Sequence, residues 1–458
     1  MLLWLVASES KKTTDRGVGA MKKTNVRTHD VSAIYKKIDL RVLPFLLLCY
    51  LVAYLDRVNV GFAKLHMQSD LGLSDAAYGL GAGIFFIGYA IFETPSNLLL
   101  TKIGARKTLS RVMVLWGGTS SCMLFVNSET SFYVLRFLLG VFEAGFAPGM
   151  IYYLTLWYGR ERLARVMAVV MLAGPIGSII GSPLSTWIMA EFESVGGLRG
   201  WQWMFLLEGL PAVVLGVVAL KVLSDTPAAA PWLTDAEKTL HSTLVQTEAS
   251  DHSSLRTALK DPRIYLMAAG YFCLISGIYA MSFWLPSIIR DSGVDDLMTI
   301  GFLAAIPYVG AIILMQILSR SSDRRNERRW HTAIPAILAA ACLAGSTVFK
   351  DNLAAALTCL SFGTALMWAA YTVFWAIPPQ YLKGTAAAGG IAVINTIGLM
   401  GGFVSPTLIG YLKSLTGTTE AGIFAMVLLV AVGALLLAAN RPPSTTRPAN
   451  SNAAAAQE

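Results

Sequence analysis

Charged side chains are scarce in this sequence of 458 residues, where they make up 14%, while hydrophobic residues make up 55%. Together with a mean hydropathy of +0.57, this composition leaves too little polar surface to cover a water-soluble globule of this size. A soluble fold is therefore excluded, and the composition predicts an integral membrane protein.

Motifs for metal binding and nucleophilic catalysis are lacking as well. The five cysteines lie in apolar runs without Cys-x-x-Cys spacing, and the five histidines lie near predicted helix ends or in loops. An enzyme within the membrane would need a nucleophile, metal ligands or a cofactor motif, and the sequence offers none. We therefore expect no metal site, no cofactor and no enzymatic activity.

Apolar stretches of about 20 residues recur along the whole chain, each long enough to cross a hydrocarbon core of ~30 Å as a helix. Transmembrane strands are excluded, because these runs are much longer than the alternating segments of about 10 residues in outer-membrane barrels. We predict an all-α membrane protein with twelve transmembrane helices. The predicted spans are 41–63, 77–101, 107–126, 131–158, 164–191, 201–223, 263–290, 297–319, 330–349, 352–378, 384–413 and 422–439.

Lysine and arginine indicate how the helices are oriented, since short cytoplasmic loops carry an excess of basic residues. If both termini are cytoplasmic, the predicted spans place 29 of the 36 basic residues on the inner side, 5 on the outer side and 2 within the membrane. The outer five are Lys64, Arg199, Arg290, Lys350 and Lys413. Because the bases are dispersed over loops at one membrane face, the net charge of +8 needs no nucleic-acid partner.

One long polar segment divides the chain into two sets of six predicted helices. It runs through residues 224–262 and contains Pro227, Pro231 and a Ser/His-rich stretch, as expected of a cytoplasmic linker. We predict a cytoplasmic tail at 1–37, two pseudo-symmetric six-helix bundles at 38–223 and 263–440, and a disordered tail at 441–458. Whether translation starts at Met1 or Met21 is left open.

Four ionisable residues lie inside long apolar runs of the first half, namely Asp56, Arg57, Arg136 and Glu143. A charge at mid-bilayer costs roughly 3 kcal/mol on insertion scales, so such groups are expected to pair with one another or to serve a function. We interpret them as a binding and coupling site. The alternative is a buried ion-pair network with a structural role only.

The basic turns after the second and eighth predicted helices resemble the signature loop of the major facilitator superfamily. The C-terminal copy keeps the acidic residue of that loop as Asp323 but has Ser319 for its glycine, and the N-terminal copy has Asn97 and Thr101 at these positions. Over residues 38–439 the chain resembles the anion:cation symporter branch, which includes bacterial galactonate, tartrate and 4-hydroxyphenylacetate permeases. The matching segments are 54–59 (Tyr-Leu-Asp-Arg-Val-Asn), 95–97, 104–106, 135–137, 143–145, 148–149, 200–203, 207–211, 232–234, 374–375 and 390–395.

This resemblance implies roles for individual residues. It implies that Asp56 carries a proton, that Glu143 is a second protonation site, and that Arg136 belongs to the same coupling set. The candidate substrate ligands that it implies are Arg57, Tyr54, Tyr89, Thr372, Trp375 and Asn395. Two further acidic residues, Glu93 and Glu208, are interpreted as structural, because Glu93 stands beside the kink expected at Pro95 and Glu208 lies nearer a membrane face.

The sequence thus predicts a proton-coupled symporter that imports a small organic carboxylate across the inner membrane of a bacterium by alternating access. Tartrate, a sugar acid and an aromatic acid all fit the predicted ligands. Protons would be the coupling ion, and a single chain is expected to be the functional unit. An anion exchanger or uniporter on the same fold is the alternative, while a transporter-like sensor would be expected to add a signalling domain.

Overall fold

The computed structural model describes residues 28–246, 260–382 and 384–440, and all regular secondary structure in these residues is helical. Most of the predicted N-terminal tail (1–27), the middle of the linker (247–259) and the C-terminal tail (441–458) lie outside the described residues. The helices are α1 (Thr28–Asp70), α2 (Asp75–Ile103), α3 (Ala105–Cys122), α4 (Glu129–Glu143), α5 (Phe146–Trp157), α6 (Arg160–Met171), α7 (Ala173–Glu191), α8 (Gly200–Val222), α9 (Asp235–Gln246), α10 (Pro262–Asp291), α11 (Leu297–Arg325), α12 (Arg329–Val348), α13 (Leu353–Phe374), α14 (Pro378–Tyr381), α15 (Gly384–Leu399), α16 (Gly401–Thr416) and α17 (Glu420–Ala439).

Within the described residues, eleven helical spans are long and apolar enough to cross a membrane. The remaining predicted span, at 107–126, coincides with α3. That helix carries Arg106, Lys107 and Arg111 in its first two turns, which makes it too polar to qualify by composition. It packs along α8 and beside α4, inside the N-terminal half. Twelve crossings and cytoplasmic termini therefore stay predictions.

The two predicted halves are formed by α1–α8 and by α10–α17. The most extensive contacts between them are those of α1 with α10, α2 with α16 and α7 with α11, and α2 also meets α15. The approach of α2 to α16 depends on glycine, because a Cβ added at Gly79 would lie 2.4 Å from the carbonyl oxygen of Pro406. We call the end of the bundle that holds the turn at 71–74 the outer end, following the predicted orientation.

Helix α1 is longer at both ends than the sequence predicts. It begins at Thr28 and continues to Asp70, beyond the predicted bounds of 41 and 63. As a consequence Lys64, which the sequence places at the outer membrane face, lies inside the helix with 3% exposure. Its ammonium group is 2.9 Å from an Asp75 carboxylate oxygen and 3.7 Å from the centre of the Trp284 ring.

The predicted linker contains a helix, α9, that packs on the N-terminal half. It starts with a reciprocal cap, in which the Thr234 backbone donates to Glu237 and the Glu237 backbone donates to the Thr234 hydroxyl. Two contacts hold the helix at the inner end of the bundle, since Lys37 pairs with Glu237 at 2.6 Å and a ring nitrogen of His241 lies 2.9 Å from the carbonyl oxygen of Trp157. The segment just before the helix is held as well, because Trp232 stacks on Trp157.

Candidate functional site

A central cavity of about 60 Å³ lies between the two halves. Helices α1, α2, α5 and α7 contribute to it from one half, and α10, α13 and α15 from the other. Aromatic side chains dominate the wall. Its six tyrosines are at positions 50, 54, 89, 271, 279 and 371, and they are joined by Trp368. A cavity lined by aromatic rings excludes bulk water, and the hydroxyl groups of its tyrosines can still form hydrogen bonds with a ligand.

Arg57 is the one arginine or lysine in the wall of this cavity, as far as the described residues show. Its guanidinium forms an ion pair with Glu143 of α4 and donates a hydrogen bond of 3.0 Å to the hydroxyl of Tyr279 of α10. The faces of Tyr54 and Tyr89 lie 5.4 and 5.7 Å from the guanidinium carbon. A fixed cation surrounded by aromatic faces can bind an anion without a competing shell of water.

Glu143 is fully buried at the last residue of α4. One carboxylate oxygen accepts from Arg57, and the other is buried without a hydrogen-bond partner in the described residues. The helix breaks directly after it, because Gly145 has a φ of 91°, a left-handed conformation that favours glycine. A Cβ at this position would also lie 2.2 Å from the Ser96 hydroxyl oxygen. The break therefore fixes where the Glu143 carboxylate is placed.

Arg136 lies two turns before Glu143 on α4 and is fully buried, but it is not part of the cavity wall. It donates to the carbonyl oxygens of Gly81 and Ala82 at 3.3 and 3.1 Å. Its guanidinium also lies 5.2 Å from the centre of the Phe85 ring. These contacts tie α4 to α2.

Asp56 points away from the cavity, although it precedes Arg57 in the chain. Its two oxygens accept hydrogen bonds from the indole of Trp116 at 2.8 Å and from the hydroxyl of Ser120 at 2.9 Å, both on α3. The carboxyl group is 1% exposed. Consecutive residues of an α-helix point about 100° apart, so the pair faces two different environments. Of the pairing expected among the four intramembrane charges, Asp56 therefore has no direct part in the described conformation, since its hydrogen-bond partners are Trp116 and Ser120.

Glu208 of α8 occupies a second buried position inside the N-terminal half. It is 2% exposed, and one of its oxygens accepts from the hydroxyl of Ser185 at 2.7 Å. Asn59, one turn beyond Asp56 on α1, lies beside it and is completely buried. This cluster contributes no residue to the cavity wall.

Asn395 of α15 reaches the cavity from the C-terminal half and is held by Glu93 of α2. Its amide nitrogen donates to Glu93 at 2.9 Å, and the neighbouring hydroxyl of Thr396 donates to the other oxygen of Glu93 at 3.2 Å. Glu93 is 7% exposed. The interpretation of Glu93 as a brace of the helix kink missed this contact, which joins residues 302 positions apart in the chain.

The cavity thus contains four of the six predicted substrate ligands, namely Arg57, Tyr54, Tyr89 and Asn395. The other two lie outside its wall. The Thr372 hydroxyl donates to the backbone of its own helix at 2.9 Å, and Trp375 packs edge-on against Tyr271 at 5.1 Å. Trp368 contributes instead, seven residues earlier on α13, and its indole nitrogen is buried without a partner in the described residues.

Sequence reasoning also missed Tyr50 and the C-terminal tyrosines. A signal existed for Tyr50, because positions 50, 54 and 57 recur on one face of a helix. Tyr271 and Tyr279 are eight residues apart, which also places them on one face of a helix. The sequence pattern does not indicate whether that face packs against α1 or faces lipid.

The outer end of the bundle is closed above the cavity. The Tyr78 hydroxyl of α2 donates to the carbonyl oxygen of Phe283 of α10 at 3.2 Å, and Lys64 of α1 lies over Trp284 of α10. By contrast Tyr50, Tyr371 and Asn395 are half-buried on the inner side. The described conformation is therefore closed on the outer side.

Comparison with other proteins gives concordant matches. The model of the Major Facilitator Superfamily matches residues 46–406. The chain is 46% identical over 401 residues to NicT of Pseudomonas putida, a candidate metabolite transport protein, covering 86% of this chain and 92% of that protein. It is 43% identical over 443 residues to a candidate tartrate transporter of Agrobacterium vitis, covering 94% and 97%.

Among solved structures, an inward-facing, occupied bacterial homologue of the human lysosomal transporter Spinster matches with a TM-score of 0.70 at 14% identity. The match covers 86% of this chain and 95% of that one. At this identity the likeness concerns the fold alone, and it confirms the predicted class of all-α membrane protein.

Proposed function

Because this chain belongs to the major facilitator superfamily, we propose that it imports a small organic carboxylate together with protons across the inner membrane of a bacterium. The family consists of transport proteins, so the prediction of a multi-pass transporter rather than an enzyme is confirmed. The nature of the carried compound, the coupling ion and the direction of transport belong to the proposal.

A carboxylate substrate is supported by the position of Arg57 in the cavity wall. The guanidinium is the cation of the chamber and has the fork geometry that suits a carboxylate. A similar protein also supports a carboxylate substrate, since it is named as a candidate tartrate transporter. The indole N–H of Trp368, which has no partner among the described residues, and the cavity tyrosines supply further donors for the substrate oxygens.

The pair between Arg57 and Glu143 is the observation that carries the proposal of proton coupling. In the described conformation the Glu143 carboxylate is paired with the Arg57 guanidinium, so the net charge of the two groups is close to zero. A substrate carboxylate that displaced Glu143 would leave an uncompensated buried anion, which costs several kcal/mol. A proton that binds Glu143 removes that charge. Binding of the proton together with the substrate anion therefore has a lower free-energy cost than binding of the anion alone.

Asp56 is proposed as a second proton carrier. It lies one residue from Arg57 but faces α3, where Trp116 and Ser120 hold the carboxylate. Protonation there would weaken both hydrogen bonds and change how α1 packs on α3. Two protons with one monovalent anion would move one net positive charge inward, worth ~2.3 kcal/mol per 100 mV, and each pH unit adds about 1.4 kcal/mol per proton.

The packing between the halves supports the proposal of alternating access. A cavity of about 60 Å³ has room for a few water molecules, whereas ligand pockets enclose roughly 300 Å³ or more. The halves must therefore separate for a substrate to enter or leave. We propose that the contacts at the outer end open when substrate binds from outside. The described conformation, which is closed at the outer end, then belongs to the part of the transport cycle in which substrate is released to the inner side. One chain holds the whole cavity, so a monomer suffices, and no cofactor is required besides protons.

Uptake by purified protein in proteoliposomes tests this proposal. Tartrate, galactonate and nicotinate are offered with an acidic outside pH, with and without an inside-negative potential. We expect accumulation of at least one of them that collapses when an uncoupler removes the proton gradient. Glu143→Gln is expected to abolish accumulation, while exchange of labelled for unlabelled substrate continues. Uptake that does not respond to the gradient would contradict proton coupling.

The variant Asp56→Asn distinguishes a proton symporter from an anion exchanger on the same fold. An exchanger needs Arg57 for binding but does not need a titratable group at position 56. If Asp56→Asn leaves proton-dependent accumulation intact, Asp56 is not a coupling residue. If the wild type shows only exchange and never net uptake, the exchanger is the better description.

A further inference from the structure

The contact between Glu93 and Asn395 restricts what the cavity can present to a ligand. Glu93 lies on α2, one turn below the cavity residue Tyr89, and Asn395 lies on α15 in the opposite half. Both oxygens of Glu93 accept hydrogen bonds from α15, at 2.9 Å from Asn395 and at 3.2 Å from Thr396. At 7% exposure the carboxylate has little water to compete for these donors.

A carboxylate fixes the orientation of an amide that it contacts. Ionised carboxylate oxygens only accept hydrogen bonds, so the amide group that faces Glu93 must be the NH₂ group. The carbonyl oxygen of Asn395 is then directed elsewhere. No donor in the described residues bonds this oxygen, and Asn395 is part of the cavity wall. The side chain therefore contributes to the cavity wall an acceptor that has no partner among the described residues.

The other polar groups of the wall do not impose this requirement. Tyrosine and serine hydroxyls rotate, so they donate or accept according to the ligand. Ser282 already donates to the carbonyl oxygen of Ile278 at 3.0 Å, which leaves its own lone pairs for a ligand donor. The amide of Asn395 differs because Glu93 prevents it from turning over. A ligand without a donor at this point would leave a polar group unpaired on closure, which costs affinity.

We propose that Glu93 is a positioning residue that keeps the carbonyl oxygen of Asn395 free, and that the cavity therefore selects carboxylates bearing a hydroxyl group over their deoxy analogues. This inference rests on the proposed function, since it assumes that a carboxylate binds at Arg57. It makes hydroxy acids the substrate class, and it assigns their recognition to both halves, with the carboxylate at Arg57 and the hydroxyl at Asn395.

The test compares two ligands that differ only in hydroxyl groups. Tartrate and succinate share their carbon chain and both carboxylates, and gluconate and hexanoate form a second such pair. Dissociation constants are measured by calorimetry on purified full-length protein. We expect the wild type to favour the hydroxylated member by about tenfold or more, the discrimination that one satisfied hydrogen bond provides.

Glu93→Gln is the informative variant. Its amide can donate to the carbonyl oxygen of Asn395, which allows the Asn395 amide to turn over and present NH₂ to the cavity. We expect the preference for the hydroxylated acid to fall to about threefold or less. Glu93→Asp should restore part of it. Thr396→Val is the matched control, because it removes the second bond to Glu93 but leaves the amide oriented, and it should keep the wild-type ratio.

The outcomes separate this inference from the proposed function. Equal ratios in the wild type, Glu93→Gln and Thr396→Val would overturn the role of Glu93. Binding of succinate, hexanoate or nicotinate as tightly as the hydroxy acids would overturn the substrate class while the proposal of carboxylate transport stands. If the wild type binds no carboxylate, both fail. Loss of the ratio in Thr396→Val as well would show that the two bonds act as a latch between the halves and not as an orienting contact.

Discussion

Arg57 of α1 and Tyr279 of α10 are joined by a hydrogen bond of 3.0 Å that crosses the boundary between the two halves. The same guanidinium is paired with Glu143 of α4 through its other terminal nitrogen. One side chain therefore contacts the candidate proton site in one half and a cavity tyrosine in the other. Since Glu143 is the contact proposed to yield to the anion, the bond to Tyr279 is the one expected to stay.

Tyr279→Phe is predicted to weaken binding of the carried anion about tenfold, since a hydrogen bond to a charged group is worth about 1.5 kcal/mol or more. The guanidinium would lose the contact that orients it after Glu143 is protonated. Binding is measured by calorimetry, and thermal unfolding checks the fold. Tyr133→Phe is a suitable control, because its hydroxyl bonds Glu129 at the protein surface, away from the cavity. An unchanged dissociation constant in Tyr279→Phe would refute the orienting role.

Trp116→Phe is predicted to lower the free energy of unfolding by about 1–3 kcal/mol, because it leaves one oxygen of the buried Asp56 carboxylate without its donor. Unfolding in detergent is followed for Trp116→Phe, Asp56→Ala and the double variant, which isolates the interaction between the two side chains. Trp187→Phe, at a position with 43% exposure, serves as the control. Additive effects in the double variant would mean that the hydrogen bond contributes nothing measurable.

The sequence was sufficient to find the charges of the site but not their directions. Arg57, Arg136, Asp56 and Glu143 stand out because a charge in an apolar helix is costly, and this argument needs no structure. Which way Asp56 points depends on where α3 packs, and two adjacent residues of one helix give no clue to it. The result is that one member of the Asp-Arg pair lies in the cavity wall and the other lies inside the N-terminal half.

The sequence pattern also does not predict how deep along a helix a residue lies relative to the cavity. Trp368 and Trp375 are seven residues apart and share a helical face, so periodicity treats them alike. Only the register of α13 against the other half places Trp368 in the wall and Trp375 about two turns away. The contact between Glu93 and Asn395 belongs to the same class, since it joins distant parts of the chain through tertiary packing alone.

Lys64→Met is predicted to open the outer end more often. Lys64 pairs with Asp75 at 2.9 Å and covers Trp284 of the opposite half, so its loss removes an attraction between α1 and α10. Ser182, in the wall of a smaller cavity toward the outer end, provides a reporter position. We expect Ser182→Cys, in a background without native cysteines, to react several-fold faster with a membrane-impermeant maleimide when Lys64 is replaced.

Lys350→Met is the matched control for this experiment. Lys350 pairs with Glu420 at 3.1 Å, also at the outer end, but both residues belong to the C-terminal half. Its loss should not alter the labelling rate. If Lys350→Met accelerates labelling as much as Lys64→Met does, the effect is a general loosening of the outer surface and the contact with Trp284 is not a closing contact.

The docking of α9 is predicted to weaken in acid. The hydrogen bond from Lys37, together with the Thr234 backbone, lowers the pKa of Glu237 below its ordinary value of 4.5. A carboxyl group with a depressed pKa stabilises the docked state above its ordinary pKa, and that contribution is lost as pH falls below about 4.5. Hydrogen exchange of residues 235–246, corrected for intrinsic rates, should rise in this range, and Glu237→Gln should remove the pH dependence. An equal rise in Glu237→Gln would assign the change to another group.

Gly145→Ala is predicted to destabilise the protein and to impair transport together. The φ of 91° costs an alanine about 1–2 kcal/mol, and its Cβ would collide with the Ser96 hydroxyl oxygen at 2.2 Å. Both effects act two residues after Glu143, so the carboxylate should move relative to Arg57. Thermal unfolding and uptake are compared with Gly118→Ala, a position in α3 where an added Cβ meets nothing within 4 Å. Ser96→Gly should rescue the part of the loss that is due to collision, because it removes the obstructing side chain. If Gly145→Ala is as harmless as Gly118→Ala, the break in this helix is not what presents Glu143 to the cavity.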